Sequence, residues 1–131
     1  YGRFKRVSQA EREIWIGAGV GISPFISWLQ DPNGKDFNKA TLVYCFTPSR
    51  VFPPSEELEN MTAMRGVQFV RNTGGTEQLA ETLREAAAQT EPHKIQVSFC
   101  GPKGLLAKVY ELMEINRIPK ANLQFELFEF R

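Results

Sequence analysis

The stretch IWIGAGVGISPFISWL, residues 14–29, decides how this chain folds. Its sixteen residues carry no charge, yet they are too few for a membrane-spanning helix, which needs about 20 predominantly apolar residues. Gly17, Gly19, Gly21 and Pro24 also oppose one continuous helix, because each glycine costs a helix interior roughly 0.5–1 kcal/mol relative to Ala. We therefore predict a strand, a glycine-rich turn and a new helix.

The overall composition fits one compact domain. The chain has 131 residues, 16 Lys plus Arg, 15 Asp plus Glu and a formal net charge of +1. Without an excess of one sign, we expect no nucleic-acid partner. The single His and the two cysteines, Cys45 and Cys100, form no metal-ligand motif, so we expect no metal and reduced thiols of the cytosolic kind.

The first residues have the character of a linking segment. The chain begins with YGRFKR and shows no pattern of charged, apolar and small segments typical of a signal peptide. We expect residues 1–10 to be a connector from a further domain, and residues 11–131 to form a single domain.

Strand-like and helix-like segments alternate along the whole sequence. Runs rich in β-branched, aromatic and other apolar residues predict strands over 13–17, 40–46, 67–71, 95–100 and 123–130. Apolar spacing and helix-start residues predict helices over 24–30, 55–64, 76–89 and 101–116. Thr76 is expected to be an N-cap. The inward-facing residues are expected to include Leu79, Leu83, Leu105, Val109, Leu112 and Met113.

This alternation predicts the fold class, which is α/β. We expect a three-layer fold with a five-stranded parallel sheet, helices on both faces and strand order 3-2-1-4-5. Such sheets bind ligands at the carboxyl ends of their strands, where the strand order reverses. Here the reversal lies between strands one and four, and both end in glycine-rich turns, GAGVGISP (17–24) and CGPKG (100–104). We therefore predict a ligand crevice between the two turns.

The first turn has the features of a phosphate site. Gly19 and Gly21 would let the backbone approach an anionic group, while Ser23 as N-cap and Pro24 as first helical residue would direct a helix N-terminus at it. A tight connection without a ligand is the alternative, which the second glycine turn makes weaker. The motif is GxGxxP and no acid precedes Glu56 after strand two, which disfavours a plain NAD-type Rossmann domain or a methyltransferase.

Several motifs resemble one family. IWIGAGVGISPF resembles the GGxGITPF segment of the pyridine-nucleotide domain in the ferredoxin–NADP reductase family, and FCGPKGL resembles its CGP motif. YGRF resembles the segment that closes the family's flavin domain. FELFEFR, residues 125–131, resembles the tail of its bacterial ferric-reductase-like and NADPH-oxidase-like branch. These motifs follow one another in the same order as in the family and extend over essentially the whole chain. Two positions differ, with Ala18 where Gly is usual and Ser23 where Thr is usual.

The resemblance implies an oxidoreductase domain that binds NADPH or NADH. It would deliver hydride to FAD on a flavin-binding domain of the same polypeptide, for onward electron transfer. The branch implies a cytoplasmic location, or the cytoplasmic face of the inner membrane beside a membrane haem domain if the parent carries membrane helices. Because nothing in these residues resembles a flavin site, we expect the isolated domain to be inactive.

The resemblance also implies roles for particular residues. Pyrophosphate and nicotinamide would be lined by Gly19, Val20, Gly21, Ser23 and Pro24. The nicotinamide ring would lie beside Cys100, Gly101 and Pro102. The adenosine ribose, with any 2′-phosphate, would lie beside Thr47, Ser49 and Arg50. Glu126 and Phe128 would approach the flavin, which makes Cys100, Phe128 and Glu126 the candidate catalytic residues.

Other interpretations remain open at this point. The chain could be a non-catalytic nucleotide-sensing domain of the same fold, or an FMN-holding electron carrier, although the hydroxyl-rich phosphate loop of such carriers is lacking. Cys100 could be an inert core residue and Arg50 a surface charge. In the last strand, alternation places Phe125 and Leu127 on one face, and Glu126, Phe128 and Phe130 on the other. That mixed second face is typical of a docking surface.

Overall fold

The computed structural model describes residues 4–50 and 54–128, with the side chain of Arg50 left out of the description. The strands are β1 (Arg12–Ala18), β2 (Ala40–Phe46), β3 (Gln68–Thr73), β4 (Ile95–Gly101) and β5 (Leu123–Leu127). The α-helices are α1 (Ser23–Gln30), α2 (Ser55–Arg65), α3 (Glu77–Gln89) and α4 (Lys103–Ile115). None of the helices in these ranges is long and apolar enough to cross a membrane.

The sheet has the predicted topology. Its strand order is β3-β2-β1-β4-β5, and all four neighbouring pairs are parallel. The α/β class, the order and the helices on both faces are therefore confirmed. The reversal of strand order lies between β1 and β4, so their carboxyl ends meet at one edge of the sheet.

Two core layers cover the two faces of the sheet. On one face, side chains of α3 and α4 such as Leu83 and Val109 pack against Ile14 and Ile16 of β1. On the other face, helix residues such as Phe25 pack against Trp15. Neighbouring residues of β1 thus face opposite layers, as strand geometry requires. Burial on both faces explains why the sequence of β1 contains a continuous apolar run.

Several predicted bounds are wrong by one to three residues. β3 covers residues 68–73 rather than 67–71, and β4 continues through Gly101, so that α4 begins after Pro102. β5 ends at Leu127, and residues 129 and 130 of the predicted strand lie outside the described ranges. Along α4 the buried stripe comprises Leu106, Val109 and Met113. The predicted Leu105 and Leu112 flank this stripe and are only partly buried.

The start of α1 also differs from the prediction. A 3-10 turn, Gly19–Ile22, continues directly into α1, so Ile22 occupies the N-cap position and Pro24 is the second helical residue. The hydroxyl of Ser23 donates to the carbonyl of Val20 at 3.0 Å. Ser23 is therefore not a capping residue, because the preceding turn takes the place of a cap.

The start of α3 is capped from a strand. Thr76 occupies the predicted N-cap position, but its side chain makes no capping hydrogen bond. Instead, the side-chain oxygen of buried Asn72 accepts from the amide of Leu79 at 3.0 Å. Its side-chain nitrogen donates to the carbonyls of Gly74 and Gly75, each at 3.0 Å. One amide side chain thus holds the turn between β3 and α3.

Gly19 and Gly21, which were predicted to let the backbone approach a ligand, are glycines for different structural reasons. At Gly21, a Cβ would collide with the carbonyl oxygen of Cys100 and lie 3.3 Å from the amide nitrogen of Gly101. The backbone of β4, rather than a ligand, therefore excludes a side chain there. Gly19 has φ +57°, and a Cβ added to it would meet nothing within 4 Å. The open space that the sequence predicts lies beside Gly19.

Replacing Gly21 by Ala should destabilise the fold. Its methyl group must displace the β4 backbone, and overpacking of this kind costs about 1–3 kcal/mol. Gly104→Ala is the matched control, since Gly104 lies in the first turn of α4 and its added Cβ meets nothing within 4 Å. That control should leave stability unchanged or raise it by up to about 1 kcal/mol. Urea unfolding measures both, and equal stabilities for the two variants would contradict the close contact at Gly21.

Candidate functional site

A cleft of about 450 Å³ opens at the carboxyl ends of β1, β4 and β5. Its volume lies within the range of about 300–1,000 Å³ that small-molecule and cofactor sites occupy. The lining residues are Phe4, Val20, Ser23, Pro24, Ser27, Trp28, Cys100, Glu126 and Phe128. The cleft therefore lies where the topology predicts a ligand, beside the reversal of strand order.

Six of the predicted site residues line this cleft. They come from the turn after β1, from the end of β4 and from the last part of the chain: Val20, Ser23, Pro24, Cys100, Glu126 and Phe128. The amide of Phe128 donates to the carbonyl of Gly101 at 3.0 Å, which ties the end of β5 to the second glycine turn. Gly101 is itself buried, and an added Cβ would lie 3.0 Å from the Cβ of Ala18. The two glycine turns are thus packed directly against each other.

The alternation predicted for β5 holds over the described residues. Cys100 pairs with Glu126 in the β4–β5 register, and Glu126 and Phe128 line the cleft. Phe125 and Leu127 lie on the opposite face and are exposed. Phe130 lies outside the described residues.

Three further lining residues, Phe4, Ser27 and Trp28, were not predicted as site residues. The rings of Phe4 and Trp28 are stacked, with centroids 5.3 Å apart and an interplanar angle of 21°. Helical spacing could have indicated two of the three. Ser27 and Trp28 follow Ser23 and Pro24 by four residues, and such pairs share one face of a helix.

The predicted ribose and 2′-phosphate residues lie apart from the cleft. Thr47 and Ser49 follow β2 and are exposed, and neither belongs to the lining of the cleft. Arg50 ends the 3-10 turn Pro48–Arg50. Their roles stay predictions. An extended ligand would have to pass from the cleft across the turn after β1 to reach them.

The thiol of Cys100 is held in its neutral form. Cys100 is 2% exposed, and burial, with a smaller effect of the Glu126 carboxylate, raises its pKa to about 11. A protonated thiol offers a neutral, polarisable contact rather than a nucleophile at neutral pH. Cys45 lies in the core, where burial raises its pKa to about 12. Both cysteines are free.

No metal centre is found in the described part of the chain. Within residues 4–50 and 54–128, no group of three or more His, Cys, Asp or Glu side chains is arranged to hold a metal ion. Cys100 and Glu126 are the two side chains of these types that line the cleft. Its chemistry is therefore that of a largely apolar cleft with one thiol, one carboxylate and a helix N-terminus.

Comparisons with known proteins extend these observations. No protein-family model and no curated protein matches the chain. Among solved structures, the flavohaem-like FAD/NAD binding domain of nitric oxide dioxygenase from Vibrio cholerae O1 biovar El Tor has a TM-score of 0.70 and 18% identity, covering 98% of this chain and 55% of that one. A variant of ferredoxin–NADP+ reductase from Plasmodium falciparum, solved with 2′P-AMP, has a TM-score of 0.70 and 19% identity, covering 98% and 58%.

A third similar structure is phthalate dioxygenase reductase, described as modular for electron transfer from pyridine nucleotides to 2Fe–2S. Its TM-score is 0.66 and its identity 20%, with 95% of this chain and 38% of that chain covered. Identities of this size show a shared fold. The chain spans 55%, 58% and 38% of the three structures, so each of them contains a large part with no counterpart here.

Replacing Glu126 by Gln should lower the pKa of the Cys100 thiol. In a Cys45→Ala background, Cys100 is the one remaining cysteine, and its rate of alkylation by iodoacetamide reports its ionisation. The rate should rise with pH to an apparent pKa of about 11. With Glu126→Gln, the midpoint should move down but stay above the ordinary value, because burial is the larger cause. Glu111→Gln, at an exposed position of α4, is the control. If Glu126→Gln leaves the dependence of the alkylation rate on pH unchanged, the effect of the Glu126 charge is contradicted.

Proposed function

We propose that this chain is the NAD(P)H-binding domain of a flavin-dependent oxidoreductase of the ferredoxin–NADP reductase type. The carrying observation is the cleft at the β1/β4 reversal, where the N-terminus of α1 faces a neutral thiol across a largely apolar surface. Three proteins with this fold are described as an FAD/NAD binding domain, an NADP+ reductase and a reductase for electron transfer from pyridine nucleotides. The residues present fit a dinucleotide.

The turn after β1 is suited to hold the pyrophosphate. The 3-10 turn Gly19–Ile22 runs into α1, and the amide of Ser23 donates to the carbonyl of Val20. The amides without helical partners are therefore those at the start of this turn, where the partial positive charge favours anions. Beside Gly19 the space is open, so a phosphate can approach the backbone there. The nearby Val20 and Ser23 are exposed. Gly21 contributes by letting this turn pack against β4, and it does not provide open space for the ligand.

The other end of the cleft is suited to hold the nicotinamide. When bound, the nicotinamide supplies the hydride and FAD on a separate flavin domain receives it. The neutral thiol of Cys100 gives a close, uncharged wall. The carboxylate of Glu126 places negative charge near the ring, which favours the positively charged oxidised form. The ring of Phe128 gives an apolar side to the cleft, and its backbone hydrogen bond to Gly101 keeps it there.

The finer parts of the proposal rest on the sequence resemblance. The FELFEFR tail points to the ferric-reductase-like branch, to FAD on a flavin domain of the same polypeptide, and to a membrane haem domain as a further partner. Hydride transfer requires reacting atoms held roughly 3–3.5 Å apart. Without the flavin domain we expect dinucleotide binding but no reductase turnover. Flavin reduction by NADPH in the joined domains distinguishes this function from nucleotide sensing.

A carboxylate at the start of α1 should weaken binding without harming the fold. Ser23→Asp places a negative charge where the pyrophosphate is proposed to lie, and the expected loss of NADPH affinity is about tenfold or more. Ser23 is exposed at the first residue of α1, where a negative charge stabilises a helix by about 0.3–1 kcal/mol. This gain should roughly offset the lost hydrogen bond from the Ser23 hydroxyl to Val20, so the stability should change little. Calorimetric titration with NADPH and urea unfolding measure the two effects.

Two controls separate charge from position in this experiment. Ser23→Asn keeps the site neutral and should weaken binding far less than Ser23→Asp. Thr82→Asp adds the same charge on the exposed side of α3 and should leave the affinity as it is. Equal NADPH affinity for Ser23→Asp and the parent would overturn the phosphate site, and a parent that does not bind NADPH would overturn the proposed function.

Arg50 is expected to favour NADPH over NADH. A guanidinium can donate two parallel hydrogen bonds to the oxygens of a 2′-phosphate, whereas a carboxylate at this place would repel it. Arg50→Ala should therefore reduce the ratio of NADPH to NADH affinity by about tenfold, mainly through weaker NADPH binding. Arg84→Ala, an exposed arginine of α3 paired with Glu81, is the control. If Arg50→Ala leaves the ratio unchanged, Arg50 is a plain surface charge.

A further inference from the structure

Residues 4–8, here called the strap, are attached to the domain along their length. The side-chain nitrogen of Gln124 on β5 donates to the carbonyl of Lys5, and the ammonium of Lys39 donates to the carbonyl of Ser8. Phe4 packs against the layer that contains Phe25. The strap therefore lies on the α1 side of the sheet and ends at the wall of the cleft.

The centre of this attachment is a buried ion pair. The guanidinium of Arg6 contacts the carboxylate of Glu13 through two hydrogen bonds, of 2.9 Å and 2.8 Å. Glu13 lies on β1, and its side chain is 1% exposed against 11% for Arg6. The indole nitrogen of Trp15 donates to the same carboxylate at 3.1 Å. Trp15 and Arg6 share Oε1, whereas Oε2 accepts from Arg6, so the strap supplies the charge that pairs with this carboxylate.

Arg6 is also fixed from the opposite side. It donates to the backbone carbonyls of Lys35 and Asp36, and its guanidinium lies 4.3 Å from the ring centroid of Phe37. Detaching the strap would separate the two charges and break the hydrogen bonds that Arg6 makes to Glu13, Lys35 and Asp36. The strap therefore cannot leave the sheet without this cost.

Phe4 lies two residues before Arg6 and forms part of the cleft itself. Its ring stacks on Trp28 and meets Phe25 edge-on, with a centroid distance of 5.8 Å and an interplanar angle of 66°. Phe4 and Trp28 are both half-buried, so their ring contact alone is a partly exposed attachment. The ion pair nearby gives the strap a second, buried point of attachment.

We propose that Arg6 and Glu13 are positioning residues for the cleft, which hold Phe4 against Trp28 and so complete the wall beside the ligand. The identity of the ligand as NADPH rests on the proposed function. Neither Arg6 nor Glu13 lines the cleft, so the pair acts through the strap. Dinucleotide affinity should therefore depend on a buried ion pair between the strap and β1.

The test is a double variant, Arg6→Met with Glu13→Gln, which removes both charges at similar volume. Such neutral replacement of a buried pair is often tolerated, so the fold should persist while the strap detaches more readily. Chymotryptic cleavage after Phe4, at a bond whose two residues are unchanged in the double variant, should become about tenfold faster or more, since cleavage follows the population of the open form. The dissociation constant for NADPH should rise by about threefold or more.

Cleavage after Phe69, on β3, reports global unfolding in the same digest. A local detachment raises cleavage after Phe4 relative to cleavage after Phe69. If both sites accelerate equally, the pair merely stabilises the fold and the proposal is overturned. The matched control is Arg84→Met with Glu81→Gln, which neutralises an exposed pair on α3 and should change neither cleavage after Phe4 nor affinity.

Phe4→Ala tests whether the pair acts through the wall. It should weaken NADPH binding by about as much as the double variant, and combining all three substitutions should weaken it no further, because effects through one contact are not additive. Additive losses, or parental affinity and cleavage in the double variant, would overturn the proposal. If the parent fails to bind NADPH, the proposed function fails, while the ratio of the two cleavage rates still decides whether the pair holds the strap.

Discussion

The contact between Gly21 and the backbone of β4 is the constraint on which the cleft depends. The strand order places β1 beside β4, so the turn after β1 must pass over the end of β4. Where the two backbones meet, the carbonyl of Cys100 leaves no room for a Cβ on Gly21. The same contact that closes the core therefore brings the N-terminus of α1 to the thiol, and the two sides of the cleft are set by packing before any ligand is present.

Close packing also determines the chemistry of the cleft wall. Because Cys100 is taken out of water and lies beside Glu126 in the adjacent strand, its thiol stays protonated at neutral pH. A residue that is reactive in an exposed, electropositive setting is here an uncharged surface. The helix N-terminus favours negative charge at one end of the cleft, whereas Glu126 disfavours it at the other. This polarity suits a ligand that carries phosphates at one end and a neutral or cationic ring at the other.

The fold was predictable because alternating apolar strands and helices leave few topologies, and the residues at the ends of β1 and β4 then followed from the position of the reversal. Individual contacts were not predictable in the same way. From the sequence, Ser23 is predicted to be the N-cap residue of α1, but a 3-10 turn directly precedes the helix at that point. Thr76 is predicted to be the N-cap residue of α3, but Asn72 on β3 supplies the hydrogen bond. The first outcome depends on local backbone geometry and the second on a residue of a neighbouring strand, and the periodicity of the sequence encodes neither.

The strap illustrates the same point at the predicted boundary after residue 10. By sequence, YGRFKR has the character of a connector, since it is polar and lacks periodicity. By contacts, Arg6 pairs with the buried carboxylate of Glu13 on β1, and Phe4 forms part of the cleft wall. A buried charge such as Glu13 requires a partner, and here residue 6 of the predicted connector supplies it. Composition describes the character of such a segment, whereas its contacts depend on a charge that lies in a strand of the sheet.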